Sequence, residues 1–182
     1  MVFALFGQLI AGWLIADFLG GVVHWWEDRV GDESMPLIGR WVITPNRLHH
    51  RDAMAFTKKP FLVRNWTAFP VVAAIAGVWL WLLGPSVVLA SAFLGAAISV
   101  EVHYQAHLPF ATRPWQRALL RPLWDIGVIQ SPAVHNRHHR WPDGDYCALT
   151  GWLNPILEHA RFWGGLEWAL TRVGLTPNKG TA

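Results

Sequence analysis

The chain has 182 residues, 53% of them hydrophobic and only 15% charged. That length suits one domain, residues 1–182, far more apolar than an average soluble domain. The single cysteine, Cys147, excludes an internal disulfide and a Cys-rich zinc site, and a net charge of +3 scattered among apolar sequence with 13 tryptophans points to a lipid surface and away from nucleic acid.

Residues 2–23 are the first apolar run, long enough to cross a bilayer, which needs about 20 mostly apolar residues. No Lys or Arg precedes it and it lacks a convincing small-residue cleavage site, so it reads as a retained anchor and not a leader. It carries one charge, Asp17, on the helical face of His24. A carboxylate about 10 Å inside the helix end, at ~1.5 Å rise per residue, is costly in lipid without a role or a partner. Asp17 is therefore expected either to hydrogen-bond a histidine or to join two helices. The run ends in His24-Trp25-Trp26-Glu27-Asp28, a sequence suited to the membrane interface.

A polar stretch over 29–65 follows, punctuated by Pro36, Pro45 and Pro60 and carrying His49-His50. Residues 68–84 and 86–104 are two further apolar runs about the turn signal Gly84-Pro85-Ser86. Each is slightly short, and two spans are preferred over a hairpin that enters and leaves one face. The third run continues into His103 and His107, with Glu101 close by. Seven Lys/Arg lie between the first and second runs and eight after the third, with none before the first or in the turn. The positive-inside rule then sets the N-terminus outside and the central loop and C-terminal region in the cytoplasm, here of a bacterial inner membrane. All nine histidines fall on that cytoplasmic side or its membrane edge.

Residues 109–130 read as an interfacial helix pair broken at Pro122, with Arg113, Arg117 and Arg121 recurring every four residues where they can meet lipid phosphate. Residues 131–146 hold His135, His138 and His139 at i, i+3 and i+4, one face of a helix. Alone, that face is either a metal site or a chance surface run. Residues 151–169 read as a short Pro-broken element and an amphipathic helix, and 175–182 as a frayed tail. The expected fold is an all-α integral membrane protein with about three transmembrane helices, interfacial amphipathic helices and a cytoplasmic His-rich metal site.

His24, His49, His50, His103, His107, His135, His138 and His139 exceed the needs of a tetrahedral zinc, which takes four ligands, and of a haem. The Glu-x-x-His motif of carboxylate di-iron bundles is absent. The count favours two six-coordinate irons at a membrane surface, a site fitted to oxygen activation. Asp17, Asp28, Glu101 and Asn154 are candidates to support those ligands. His159 stands apart in an amphipathic segment.

These residues resemble the Kua-type, plasmanylethanolamine desaturase-like family of lipid desaturases. Ala16-Asp17-Phe18-Leu19-Gly20-Gly21-Val22-Val23-His24-Trp25, with Asp28, Gly31, Pro36 and Gly39, is similar to the family's opening signature. Leu48-His49-His50-Arg51-Asp52, the His103/His107 pair and His135-x-x-His138-His139 match its remaining histidine boxes in order. Tyr146-Cys147, Thr150-Gly151-Trp152-Leu153-Asn154 and Phe162-Trp163 resemble its C-terminal signature. The resemblance implies a di-iron centre on the eight histidines, with Asp28 matching the acidic residue of the first box. It implies an enzyme that inserts a double bond into a lipid alkyl or acyl chain using O2 and two electrons, with a vinyl ether as one possible product. Ala53 and Lys59-Pro60 depart from the animal members, which carry Pro and His-Asp there. No reductase domain fits in 182 residues, so the electrons are expected from a ferredoxin or a cytochrome b5-type partner. A hydroxylase or other oxygenase on the same site, and a non-catalytic metal-binding membrane protein, are the competing readings.

Overall fold

A computed structural model describes residues 1–108 and 114–178. Among them the chain is all helix, turn and coil, with no strand. The first helix, α1, runs over Val2–Arg29. A π-helical turn over Gly39–Ile43 leads directly into α2 (Thr44–Arg51). Two single-turn helices follow, α3 (Ala53–Thr57) and α4 (Phe61–Asn65). The apolar runs become α5 (Ala68–Leu83) and α6 (Val87–Ala106). The remainder forms α7 (Pro114–Asp125), α8 (Pro132–Arg140), α9 (Leu153–His159) and α10 (Phe162–Arg172).

Local chemistry sets the boundaries. The Ser86 hydroxyl accepts from Leu89 N–H at the start of α6, and Ser131 accepts from Val134 N–H at the start of α8, where Pro132 suits the first helical position. Gly84, at φ 74°, ends α5 in a conformation open to glycine.

α1 and α6 form the central pair, and small residues let them meet. A Cβ on Gly12 would lie 2.3 Å from the Val88 carbonyl, and one on Gly95 would lie 2.9 Å from Ala16 Cβ. Ser91 Oγ donates to the Leu9 carbonyl across the seam at 2.6 Å. Such close approach is how helices associate where lipid removes the hydrophobic drive. α5 packs on α6 and buries none of its residues; Trp81 is 82% exposed.

α1 and α6 are long and apolar enough to cross a membrane. The expectation of about three spans meets a shorter second run. α5 has 16 residues, about 24 Å at the helical rise, against a hydrocarbon core of roughly 30 Å. Trp66 and Thr67, which join it to α4, keep helical backbone angles.

Three other expectations change. α7 is one helix with Pro122 inside it, not a broken pair. Proline removes one N–H near the end of the helix, and three more helical residues follow it. α9 and α10 part at Arg161, which is left-handed, and not at Pro155, which is accommodated in the first turn of α9. The start of the tail is docked and not frayed. Asn178 N–H donates to the Arg29 carbonyl at 2.6 Å and its side-chain amide to Gly31 at 2.9 Å, which satisfies carbonyls at the end of α1. Residues 179–182 and Arg113 lie outside the described residues.

Candidate metal centre

The end of α1, the end of α6, α2 and α8 bring the eight predicted imidazoles together in two adjoining groups. His49, His103, His107, His135 and His139 form one; His24, His50 and His138, with the carboxylate of Asp28, form the other. Within each group the potential ligand atoms lie within 4.8 Å of one another. Helical spacing explains half of this. His24 and Asp28, His103 and His107, and His135 and His139 are i, i+4 pairs, each on one face.

In the five-imidazole group, His103 Nε2 lies 3.0 Å from His107 Nε2, His107 Nε2 lies 2.9 Å from His135 Nε2, and His135 Nε2 lies 2.9 Å from His139 Nε2. His107 and His135 each direct one nitrogen at two others. One ring nitrogen carries one proton or one lone pair, so this chain cannot be satisfied by hydrogen bonds alone. A cation at the centre satisfies all of it, because adjacent ligands at ~2.1 Å on an octahedral ion lie about 3.0 Å apart.

The second group is oriented by backbone. His24 Nδ1 donates to the Tyr146 carbonyl at 3.0 Å and His138 Nδ1 to the Gly144 carbonyl at 2.7 Å. Those carbonyls only accept, so Nδ1 carries the proton and Nε2 presents its lone pair. Nε2 of His24, His50 and His138 lies 3.5, 3.2 and 3.4 Å from the Asp28 carboxylate. None of these nitrogens makes a hydrogen bond, nor does Asp28 Oδ2, and all are buried. Buried polar atoms without partners, aimed at one point, form a donor set that could hold a metal ion. Asp28, expected as a support, thus stands among the potential ligand atoms. Asn46 links the groups: its side chain donates to Asp28 Oδ1 at 2.5 Å, and its carbonyl accepts from His49 Nδ1 at 2.5 Å.

Burial is the first cause of the electrostatics. It lowers His107 to about 4 and holds His49 and His135 well below the usual imidazole range, and neighbouring imidazoles add to the effect. These rings are therefore neutral near pH 7, the form that binds metal.

The other expectations divide. Asp17 does not reach a histidine. It accepts from Leu149 N–H at 2.9 Å and Thr150 Oγ at 2.5 Å, tying α1 to the segment before α9. Those bonds offset the cost of a buried carboxylate. Glu101 pairs with Arg64 at 2.7 Å and Asn65 at 2.8 Å and touches no imidazole. Asn154 acts one residue away from the site, holding Cys147 N–H at 2.9 Å and the Cys147 carbonyl at 2.8 Å beside the Tyr146 carbonyl that orients His24. His159 is exposed at the end of α9, outside both groups. Arg121 pairs with Asp125 on an exposed face at 3.6 Å. Sequence reasoning does not find Asn46 or the carbonyls of Gly144 and Tyr146. Asn46 precedes His49 by three helical residues, a usable signal; a backbone carbonyl leaves none.

A cavity of about 720 Å³ adjoins both groups and is lined by His24, His49 and His103. Otherwise its wall is mostly apolar and comes chiefly from α1, α5 and α6, with the stretch from the π-helical turn to Thr67 adding residues such as Trp41 and Trp66.

The family model for the lipid desaturase domain matches residues 13–179. The plasmanylethanolamine desaturase of Myxococcus xanthus is 33% identical over 96% of this chain and 64% of its own length. Plasmanylethanolamine desaturase 1 of Mus musculus is 31% identical over 87% of this chain and 62% of its own. The chloroplastic fatty acid desaturase 4-like 1 of Arabidopsis thaliana is 30% identical over 92% and 57% respectively. The chain thus spans less than two thirds of the length of these three relatives. No solved structure matches it significantly. With a match across nearly its whole length and its histidine boxes gathered at one site, the chain belongs to the lipid desaturase family.

Proposed function

We propose that this protein is a membrane-embedded di-iron lipid desaturase. It converts a –CH2–CH2– unit of a lipid alkyl or acyl chain into –CH=CH–, using O2, two electrons and two protons and releasing two waters. The observation that carries this reading is the gathering of eight imidazoles and one carboxylate into two adjoining groups beside a mostly apolar cavity that His24, His49 and His103 line. His49, His103, His107, His135 and His139 would hold one iron, and His24, Asp28, His50 and His138 the other. The iron pair supplies the O2-dependent oxidation.

The chain's own residues do the rest. Nδ1–H of His24 and of His138 donates to a carbonyl, which keeps each Nε2 turned inward. The apolar wall of α1, α5 and α6 holds a hydrocarbon chain beside His24, His49 and His103 and excludes bulk water. α1 and α6 cross the membrane, with the metal site on the cytoplasmic side of a bacterial inner membrane. The two electrons come from a separate ferredoxin or cytochrome b5-type protein, drawn to bases near the site such as Arg51 and Arg140. The product is either a vinyl ether, as the names of two relatives point to, or a new acyl double bond.

The test is lipid mass spectrometry after expression in a host lacking the activity, comparing wild type with His138→Ala. New double bonds that depend on His138 support the reading. A His138-dependent alcohol instead would replace desaturation by hydroxylation. Iron at no more than one per chain, without oxygen-dependent turnover, would overturn both.

A further inference from the structure

We infer that Arg40 and Lys59 form the anchor for the phosphate of a glycerophospholipid, whose hydrocarbon chain enters the cavity sideways between α1 and α5. This rests on the desaturase reading above and adds a subsite and a route to it.

The cavity wall carries three bases, Arg40, Lys59 and Arg64. Arg64 is already engaged. Its guanidinium grips both oxygens of Glu101, donates to the Lys59 carbonyl at 2.5 Å and stacks on Tyr104 at 3.8 Å. That bond fixes the Lys59 backbone and leaves its ammonium free. Neither Lys59 nor Arg40 pairs with a carboxylate among the described residues. Of the two acids on the same wall, Asp17 is held by Leu149 and Thr150, and Glu27 pairs with no base.

Depth favours a head group. The Arg40 guanidinium lies 4.8 Å above the Trp41 ring, and Trp41 meets Trp66 edge to face at 5.3 Å. Both tryptophans line the cavity. Paired tryptophans are typical of the membrane–water boundary, where phosphates lie. Arg40 beside that pair and Lys59 on the same, mostly apolar cavity wall, neither paired with a carboxylate, complement one anionic group on one long chain.

The route follows from packing. α1 and α5 each pack on α6 and make no extended contact with each other. Between them the wall includes Leu19, Gly20 and Val23 from α1 and Val71 and Ile75 from α5. A Cβ on Gly20 would meet nothing within 4 Å. A slot remains there, facing the direction in which lipid would lie.

The test uses the full chain, iron-loaded, in phosphatidylcholine nanodiscs. Each sample carries a trace of an ether phospholipid with a diazirine in its alkyl chain, or the matching alkylglycerol without phosphate. Cross-linked peptides are read by mass spectrometry. Wild type is expected to label on α1 and α5. Arg40→Gln with Lys59→Gln should cut phospholipid labelling about tenfold, the factor for one charge-assisted hydrogen bond of roughly 1.5 kcal/mol. It should leave alkylglycerol labelling unchanged. Gly20→Trp should abolish labelling by both probes. Iron content and helicity are measured in every variant, since none of the three residues belongs to the metal groups. Unchanged phospholipid labelling in the double variant overturns the anchor; equal loss of both probes does so too. Full labelling in Gly20→Trp overturns the slot. Phospholipid labelling that follows the expected pattern without any new double bond would keep the anchor and remove the desaturase reading.

Discussion

The two candidate metal-binding groups are built differently. The five-imidazole group comes largely from helical spacing: His103 with His107 on the end of α6, His135 with His139 on α8, and His49 from α2. It contains no anion. The other group contains Asp28 and depends on the loop after α8, whose Gly144 and Tyr146 carbonyls aim His138 and His24. Asp145 lies between those carbonyls at φ 59° and is held by the Arg137 side chain and by Glu158. Both groups draw on distant helices, but within the five-imidazole group two i, i+4 pairs supply four of the five ligands, whereas in the other group the aim of His24 depends on a carbonyl 122 residues away and that of His138 on the loop that follows it. The carboxylate also cancels part of an ion's charge in one group only, so the two ions would differ in environment.

The largest expected effect comes from His138, fully buried in the carboxylate group. His138→Ala should reduce desaturation below roughly 1% of wild type, as the loss of a ligand outweighs the 10–100-fold loss typical of an outer partner. Iron should fall toward one per chain, because the five-imidazole group keeps every ligand; loss of both ions would erase the distinction between the groups.

Asp28→Asn keeps the shape and removes the charge. Iron affinity of that group alone should drop by at least the roughly 10–100-fold typical of an outer partner, read by titration with a competing chelator. An equal drop at both sites would mean that the groups act as a single electrostatic unit.

Acid should act through the imidazoles of the other group. Burial holds His107 near 4, and His49 and His135 well below their ordinary value. In the unfolded chain these imidazoles take up protons from about pH 6.5 downward, whereas in the folded metal-free protein they do not until far lower pH. Their contribution to stability is therefore complete above about pH 6.5 and falls as pH drops toward 4. Thermal melts of the metal-free protein across that range check the sign, and a flat profile would break the account.

Asn154→Ala leaves the Cys147 backbone without its clamp and should cost about 1–3 kcal/mol of stability. The effect on iron should be confined to the group that contains His24. The smallest effect belongs to Arg121→Ala. Its exposed pair with Asp125 predicts a change within about 1 kcal/mol and iron unchanged in both groups.

Much of the five-imidazole group is legible in the amino-acid sequence, because i, i+3 and i+4 spacing converts directly into a shared helix face. The apolar runs are legible for the same local reason, although α5 is shorter than a straight span. The supporting residues are not. Asp17 and Asn154 stand out by residue type and position, but the partner of Asp17 lies 132 residues away at Leu149, and no periodicity relates the two. Closeness in sequence to His103 suggests Glu101 as support for a histidine. Two positions on a helix point about 200° apart, which sends it instead to Arg64 and Asn65.

The amino-acid sequence by itself determined the helices, the apolar runs and the identity of eight clustered histidines, since these depend on composition and on spacing along one chain. Tertiary structure alone decided how the imidazoles divide between two groups, that Asp28 joins one of them, and that a cavity between α1, α5 and α6 adjoins both. Those outcomes depend on which distant helices approach closely, and that is set by the small-residue seam of α1 and α6 and by hydrogen bonds that close long loops.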